Sequence, residues 1–159
     1  MLQLYQFGRA RLAASLEGLS DEQIGWRPHD GAHTIAEILY HLAGAEHYWW
    51  ARLTPISETD PRFDKRLDAA VFEGFLRDGR CAFSGEELRL AAVHSCLRQS
   101  RENIEPILSK PTAEQLSQRL MSPIGDEVSG EEGLIRLCSH APYHVGQIWM
   151  IRMHPEFPA

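Results

Sequence analysis

Three copies of one helix-start signal constrain this chain more than any other feature of its sequence. The signal is a capping box, in which a Ser or Thr is followed three residues later by Glu, and it occurs at Thr34–Glu37, Ser84–Glu87 and Ser129–Glu132. The hydroxyl group accepts one backbone N–H of the first helical turn, and the Glu carboxylate accepts another. Because an apolar segment follows each box, we predict helices over about 34–53, 84–108 and 129–153.

Apolar residues recur every three or four positions in these segments, as they do on one face of an amphipathic helix. In the last segment they are Leu134, Leu137, Cys138, Ala141, Val145, Ile148 and Trp149. The N-terminal segment adds a fourth amphipathic helix. Four helices with one apolar face each can bury those faces against one another. We therefore predict an all-α four-helix bundle that forms one domain over residues 1–159.

The connections between the long helices are predicted to hold the irregular structure. About 30 residues separate the second and third helices, far more than an antiparallel hairpin needs. Such a long crossover lets these two helices run parallel, and we place a short helix in it near Leu67–Phe75. Capped single turns are expected at Ser20–Gln23 and Thr112–Gln115, and a small extended hairpin around Ile124–Val128.

Composition argues against several classes of protein. The net charge is −6 and Lys and Arg do not cluster, so we expect no nucleic-acid partner. No apolar run approaches the roughly 20 residues that cross a bilayer, and the N-terminal segment lacks the pattern of a signal peptide. We therefore expect a cytoplasmic protein with no membrane partner. The three cysteines include no CxxC pair, which argues against a disulfide framework.

Three of the eight histidines predict a metal site. His140 and His144 are four residues apart, so on a regular helix they share one face and can bind one ion. His41 lies beside the apolar arc of its own helix and is the preferred third ligand, with His33 and His94 as alternatives. Three imidazoles leave a fourth coordination position open, as in catalytic zinc sites.

Pro142 lies between the paired histidines and complicates their geometry. A proline inside a helix removes one backbone hydrogen bond, here the one to the carbonyl of Cys138, and it usually kinks the helix. The sequence alone therefore does not fix the relative directions of the His140 and His144 side chains.

Other residues are candidates for supporting roles. Gln147 lies one turn after His144 and could orient it or contact a substrate, although a solvated amide is an equal alternative. Trp26, in a W-x-P turn, could cover the mouth of the site, although a bulky core residue is the more common role. Tyr48 and Trp50 lie off the apolar arc of their helix and could serve a dimer interface.

Three runs of the sequence together resemble the DinB/YfiT-like superfamily. The runs are LSDEQIGWRP, TIAEILYHLAGAEHYWW and LIRLCSHAPYHVGQIWMIR. They are similar to a capped turn ending in W-x-P, a helix with one His, and a last helix with H-x-x-x-H-x-G-Q. The resemblance is strongest at about 20–50 and 134–152. It implies an up-down-down-up bundle, commonly a homodimer, that holds a divalent metal on His41, His140 and His144.

The chemistry of such a site follows from its ligands. Neutral imidazoles favour Zn²⁺, or alternatively Ni²⁺, over Mg²⁺ and Ca²⁺, which prefer oxygen. Such an ion can lower the pKa of bound water to about 7, or bind a thiol as its thiolate. Water predicts a hydrolase and a thiolate predicts an S-transferase, and the residues do not decide between them. The superfamily that the chain resembles includes thiol transferases, so the resemblance favours a low-molecular-weight thiol as the small-molecule partner. A non-catalytic metal-binding or stress-related dimer is the alternative.

Overall fold

The computed structural model describes residues 1–73 and 81–159. In these residues the chain is mostly helical, with seven α-helices, one 3₁₀ turn and a two-stranded sheet, so the predicted all-α class is confirmed. The long helices are α1 (Leu2–Leu16), α3 (Ile35–Leu53), α5 (Leu90–Ser109) and α7 (Gly130–Arg152). The short helices are α2 (Asp21–Gly25), α4 (Lys65–Glu73) and α6 (Ala113–Ser117).

Capping boxes start α3 and α7, as predicted. The Thr34 hydroxyl accepts the N–H of Glu37 at 3.1 Å, and the Glu37 carboxylate accepts the N–H of Thr34 at 2.9 Å. Ser129 and Glu132 make the same exchange at 3.2 and 2.6 Å. Each box satisfies backbone N–H groups that have no partner inside the helix, a contribution of about 1 kcal/mol to stability.

The third box starts a 3₁₀ turn over Gly85–Leu88 rather than α5. The N–H of Ser84 donates to the Glu87 carboxylate at 3.2 Å, but α5 begins only at Leu90, after an extended residue. The N–H of Leu90 is accepted by the carboxylate of Asp21, which lies on α2, at 2.8 Å. The predicted start of this helix is therefore wrong, because a distant side chain supplies its cap.

The shorter elements lie in the connections. Capped turns form α2 and α6, as predicted. The crossover helix is α4, and the predicted end of that helix at Phe75 lies outside the described residues. The hairpin consists of β1 (Arg119–Met121) and β2 (Glu127–Ser129), which pair antiparallel. Its turn contains Gly125, whose φ of 90° suits glycine, so the predicted hairpin is real but Ile124 lies in its turn rather than in a strand.

Helix α3 lies at the centre of the protein and packs against α4, α5 and α7. Every residue from Ile35 to Trp50 except Glu37 is buried. Tyr48 and Trp50 are only 3% and 4% exposed, so their predicted role in a dimer interface is wrong. For Tyr48 the cause is α4, which packs against α3 and places the Phe72 ring on the Tyr48 ring.

A buried carboxylate links α1, α3 and α5. Glu46 on α3 accepts hydrogen bonds from the hydroxyl of Tyr5 at 2.8 Å, the hydroxyl of Ser100 at 2.5 Å and the guanidinium of Arg9 at 3.2 Å. Burial raises the pKa of Glu46, and the nearby Arg9 charge opposes that rise. Within the two described ranges, no helix has both the length and the apolar character that spanning a bilayer requires.

Candidate metal centre

The packing of α3 against α7 brings the three predicted histidines together. His41 lies on α3, and His140 and His144 lie on α7. Nε2 of His140 is 3.0 Å from Nε2 of His41 and 2.9 Å from Nε2 of His144. The three ligand atoms all lie within 4.8 Å of one another, so this group could hold one metal ion. Nitrogens that share a tetrahedral zinc ion are about 3.3 Å apart, slightly more than the two distances from Nε2 of His140.

Pro142 does not disturb this convergence. Helix α7 runs from Gly130 to Arg152 with the proline inside it. The proline ring packs against α1 at Gly8, where an added Cβ would lie 2.9 Å from the ring Cδ. The ring therefore occupies the side of α7 that faces α1, while the histidines face α3.

Hydrogen bonds at the far side of two rings determine where their protons lie. Nδ1 of His41 is 3.3 Å from the backbone carbonyl of Ala70, and Nδ1 of His144 is 2.5 Å from Oε1 of Gln147. Both partners are oxygen acceptors, so each Nδ1 carries the proton and donates it. The Nε2 atoms of His41 and His144 then present lone pairs to the centre, which is the form that binds a metal.

The third ring, that of His140, can donate a hydrogen bond to only one of these two lone pairs. Nε2 of His140 has at most one proton in the neutral ring, so it donates to His41 or to His144 but not to both. The Nε2 lone pair of the other histidine then faces a nitrogen whose proton points elsewhere. A cation at the centre would accept lone pairs from all three Nε2 atoms, so these residues fit a metal ion.

Burial keeps the three rings neutral. It lowers the pKa of His41 to about 3, that of His140 to about 2 and that of His144 to about 4. The neighbouring imidazoles lower the pKa values of His41 and His140 further. Neutral imidazole is the state that can bind a metal, so no proton has to be displaced from the triad near pH 7.

A cavity of about 360 Å³ opens beside the histidines. Its inner wall is formed by side chains from α3, the crossover and α7, namely Ala45, Trp49, Val71 and Leu137. Its outer wall is formed by Ser122, Pro123 and Ile124 of the hairpin turn, with Arg136 and Tyr143 of α7. A small molecule in this cavity would reach the triad directly.

The other predicted candidates lie outside the three-histidine group. Trp26 packs against His154 and Phe157 near the C-terminus, with ring centroids 5.1 and 5.5 Å apart, and it is not among the described residues that line this cavity. His33 lies 3.7 Å from the Glu37 carboxylate, and His94 lies in a groove between α1 and α5. Neither belongs to the three-histidine group.

Sequence reasoning missed the carbonyl of Ala70 and the outer wall of the cavity. A backbone carbonyl has no residue type that could identify it, and the position of α4 depends on tertiary packing. The wall residues in the hairpin turn are ordinary loop residues with no metal-binding or catalytic chemistry. Only the hairpin itself had a signal in the sequence.

The fold and the site together define the class of this protein: it is mainly helical and has a candidate three-histidine metal site beside an apolar cavity. The chain belongs to the DinB superfamily, whose family model matches residues 4–148. That range contains all three histidines and Gln147. No curated protein sequence gives a significant match to the chain.

Proposed function

We propose that this protein is a divalent-metal-dependent enzyme whose ion is bound by His41, His140 and His144. The observation that carries the proposal is that one ring nitrogen from each histidine lies within 4.8 Å of the other two, with Nε2 of His140 3.0 and 2.9 Å from the Nε2 atoms of its neighbours. Support also comes from the acceptors at Nδ1 of His41 and His144, which direct lone pairs to that point. Imidazole is a ligand of intermediate softness, so Zn²⁺ is the proposed ion and Ni²⁺ the alternative.

The proposed reaction uses a low-molecular-weight thiol or water as the nucleophile. A bound divalent ion would supply a Lewis acid that lowers the pKa of a thiol or of water at an open position. The chain itself holds the imidazoles neutral and oriented, and its apolar walls exclude bulk water. Those walls favour the organic part of a thiol, so transfer of a sulfur group to an electrophile is the proposed activity, ahead of hydrolysis.

The same proposal includes the assembly of the protein. The four long helices form an up-down-down-up bundle in one domain, as membership of the superfamily suggests. Leu4 and Phe7 on α1 are 53% and 60% exposed, and Met150 on α7 is 73% exposed. These exposed apolar side chains lie on two packed helices, with Leu4 and Phe7 near one end of the α1–α7 pair and Met150 near the other, and they support a homodimer formed through these two helices. The proposed location is the cytoplasm.

Metal titration tests the proposed site. The purified protein is stripped with a chelator and titrated with Zn²⁺ and with Ni²⁺ in a calorimeter. We expect one ion per chain, and we expect His140→Ala to lower the affinity by more than the roughly 10–100-fold that loss of an outer partner causes. His94→Ala is the matched control, because His94 is an exposed histidine in the second turn of α5.

The outcomes separate the candidate functions. Equal metal binding by wild type and His140→Ala would overturn the proposed site. Binding of one ion with no exchangeable ligand position would favour the non-catalytic metal-binding dimer, since an enzyme of this kind needs an open position.

A further inference from the structure

The walls of the cavity indicate what kind of molecule it holds. Four buried apolar residues form the inner wall, and none of them is more than 4% exposed: Ala45, Trp49, Val71 and Leu137. Trp49 fits there because residue 133 on α7 is a glycine. A Cβ added at position 133 would overlap the indole ring of Trp49. The inner wall is therefore a large apolar surface, and it lies where α3 and α7 pack closely together.

The charged groups at the rim already neutralise each other. The Arg136 guanidinium donates two hydrogen bonds to the Asp126 carboxylate, at 2.9 and 2.6 Å. The Ser122 hydroxyl also donates to Asp126. Among the residues that the structure describes around the cavity, Arg136 is the only one with a positively charged side chain, since the three histidines are neutral. An anionic ligand would have to displace Asp126 from it, at the cost of a two-point ion pair.

The same ion pair holds the outer wall in place. Asp126 belongs to the hairpin turn, and Arg136 belongs to α7, so their contact ties the turn to the helix that carries two of the three histidines. Ile124 in this turn lines the cavity yet is 66% exposed. An apolar ligand in the cavity would cover part of that side chain, which favours binding.

The size of the cavity limits the ligand. A volume of about 360 Å³ is near the lower end of the range for small-molecule sites. A compact molecule fits, whereas a large thiol with a peptide or sugar group would leave most of its polar part outside.

We propose that the cavity selects a small, uncharged alkyl or aryl compound with a single metal-binding atom, such as a simple apolar thiol, over anionic compounds of the same length. This inference deepens the proposed function and rests on it. The polar atom of the ligand lies at the triad, and the apolar body lies between Trp49 and Ile124.

Two thiols of equal chain length test the preference. The protein is loaded with Co²⁺, whose absorption spectrum changes when a thiolate binds, and it is titrated with pentane-1-thiol and with 5-mercaptopentanoate. The two compounds differ only in the group at the far end of the chain. We expect pentane-1-thiol to bind at least about tenfold more tightly, because the carboxylate loses its hydration without gaining a partner.

Matched variants locate the effect in the cavity. Ile124→Asp is expected to weaken pentane-1-thiol binding several-fold and to leave Co²⁺ binding unchanged. Ile135→Asp, at another exposed isoleucine that does not line the cavity, is expected to change neither. An equal effect of the two substitutions would contradict the assignment of the outer wall.

The remaining outcomes separate this inference from the proposed function. If Co²⁺ does not bind, or if it binds equally well to His140→Ala, the proposed function fails and the inference fails with it. If Co²⁺ binds to the triad and 5-mercaptopentanoate binds as tightly as pentane-1-thiol or more tightly, only the inference fails. Failure of both thiols to bind the Co²⁺ protein would also overturn it.

Discussion

The contact between Gln147 and His144 gives a sharp prediction about metal affinity. Oε1 of Gln147 lies 2.5 Å from Nδ1 of His144, and it is one of two acceptors that fix protons in the triad. Gln147→Leu removes the acceptor and keeps a side chain of similar size. His144 is then free to rotate or to move its proton to Nε2, which removes the lone pair that binds the ion.

The expected loss is about 10–100-fold in Zn²⁺ affinity, equivalent to about 1.4–2.7 kcal/mol. Competition with a chromophoric chelator measures the dissociation constant. Gln147→Glu keeps an oxygen acceptor at the same place, so we expect it to retain wild-type affinity or to exceed it. Gln99→Leu, on the exposed surface of α5, serves as the control.

Two results would refute this reasoning. Wild-type affinity in Gln147→Leu would show that the hydrogen bond does not orient His144. An equal loss in Gln147→Glu and Gln147→Leu would show that the effect comes from packing rather than from the acceptor.

Three further predictions concern stability, and chemical denaturation measures each of them. Glu46→Ala is expected to lower the free energy of unfolding by about 3 kcal/mol, because it removes the carboxylate that accepts from the partly buried Arg9 and from two hydroxyl groups. A loss below about 1 kcal/mol would contradict the buried network. Gly133→Ala should destabilise the protein, because the added Cβ would overlap the Trp49 ring. Gly146→Ala should stabilise it by about 0.5–1 kcal/mol, because no atom lies within 4 Å of the added Cβ. Equal effects of the two substitutions would argue against the close packing of α3 and α7. The free energy of unfolding of the metal-free protein should fall as the pH is lowered from 6.5 to about 4, because histidines with lowered pKa values gain protons first in the unfolded chain. In His140→Leu this free energy should fall less steeply with pH. An unchanged pH dependence in that variant would contradict the burial of the His140 ring.

The sequence predicted those parts of the fold that depend on neighbouring residues. The boxes at Thr34 and Ser129 are local hydrogen-bond exchanges, so their residue types identify the starts of α3 and α7. The start of α5 depends on Asp21 of α2, which is distant in sequence, and the local pattern therefore placed it too early. Tyr48 was misplaced for a related reason, since the helical arc cannot show that the crossover packs on its far side.

Some residues of the candidate site could likewise be predicted from the sequence, and others could not. The positions of His41, His140 and His144 at the edges of apolar arcs identified the group, because side chains at such edges point into the seam between helices. Gln147 was also accessible to sequence reasoning, since it lies three residues after His144 on one helix. The carbonyl of Ala70 and the wall at Ile124 required the packed structure, because they come from the crossover and from a loop.

The central claim is that one divalent ion is bound by three histidine nitrogens. X-ray absorption spectroscopy of the Zn²⁺-loaded protein tests it most directly, because it reports the number, type and distance of the ligands. The proposed site predicts three imidazole nitrogens at about 2.0–2.1 Å and one further exchangeable ligand, with one nitrogen fewer in His41→Ala. Fewer than three imidazoles in the wild-type protein, or a spectrum that does not change in His41→Ala, would contradict it.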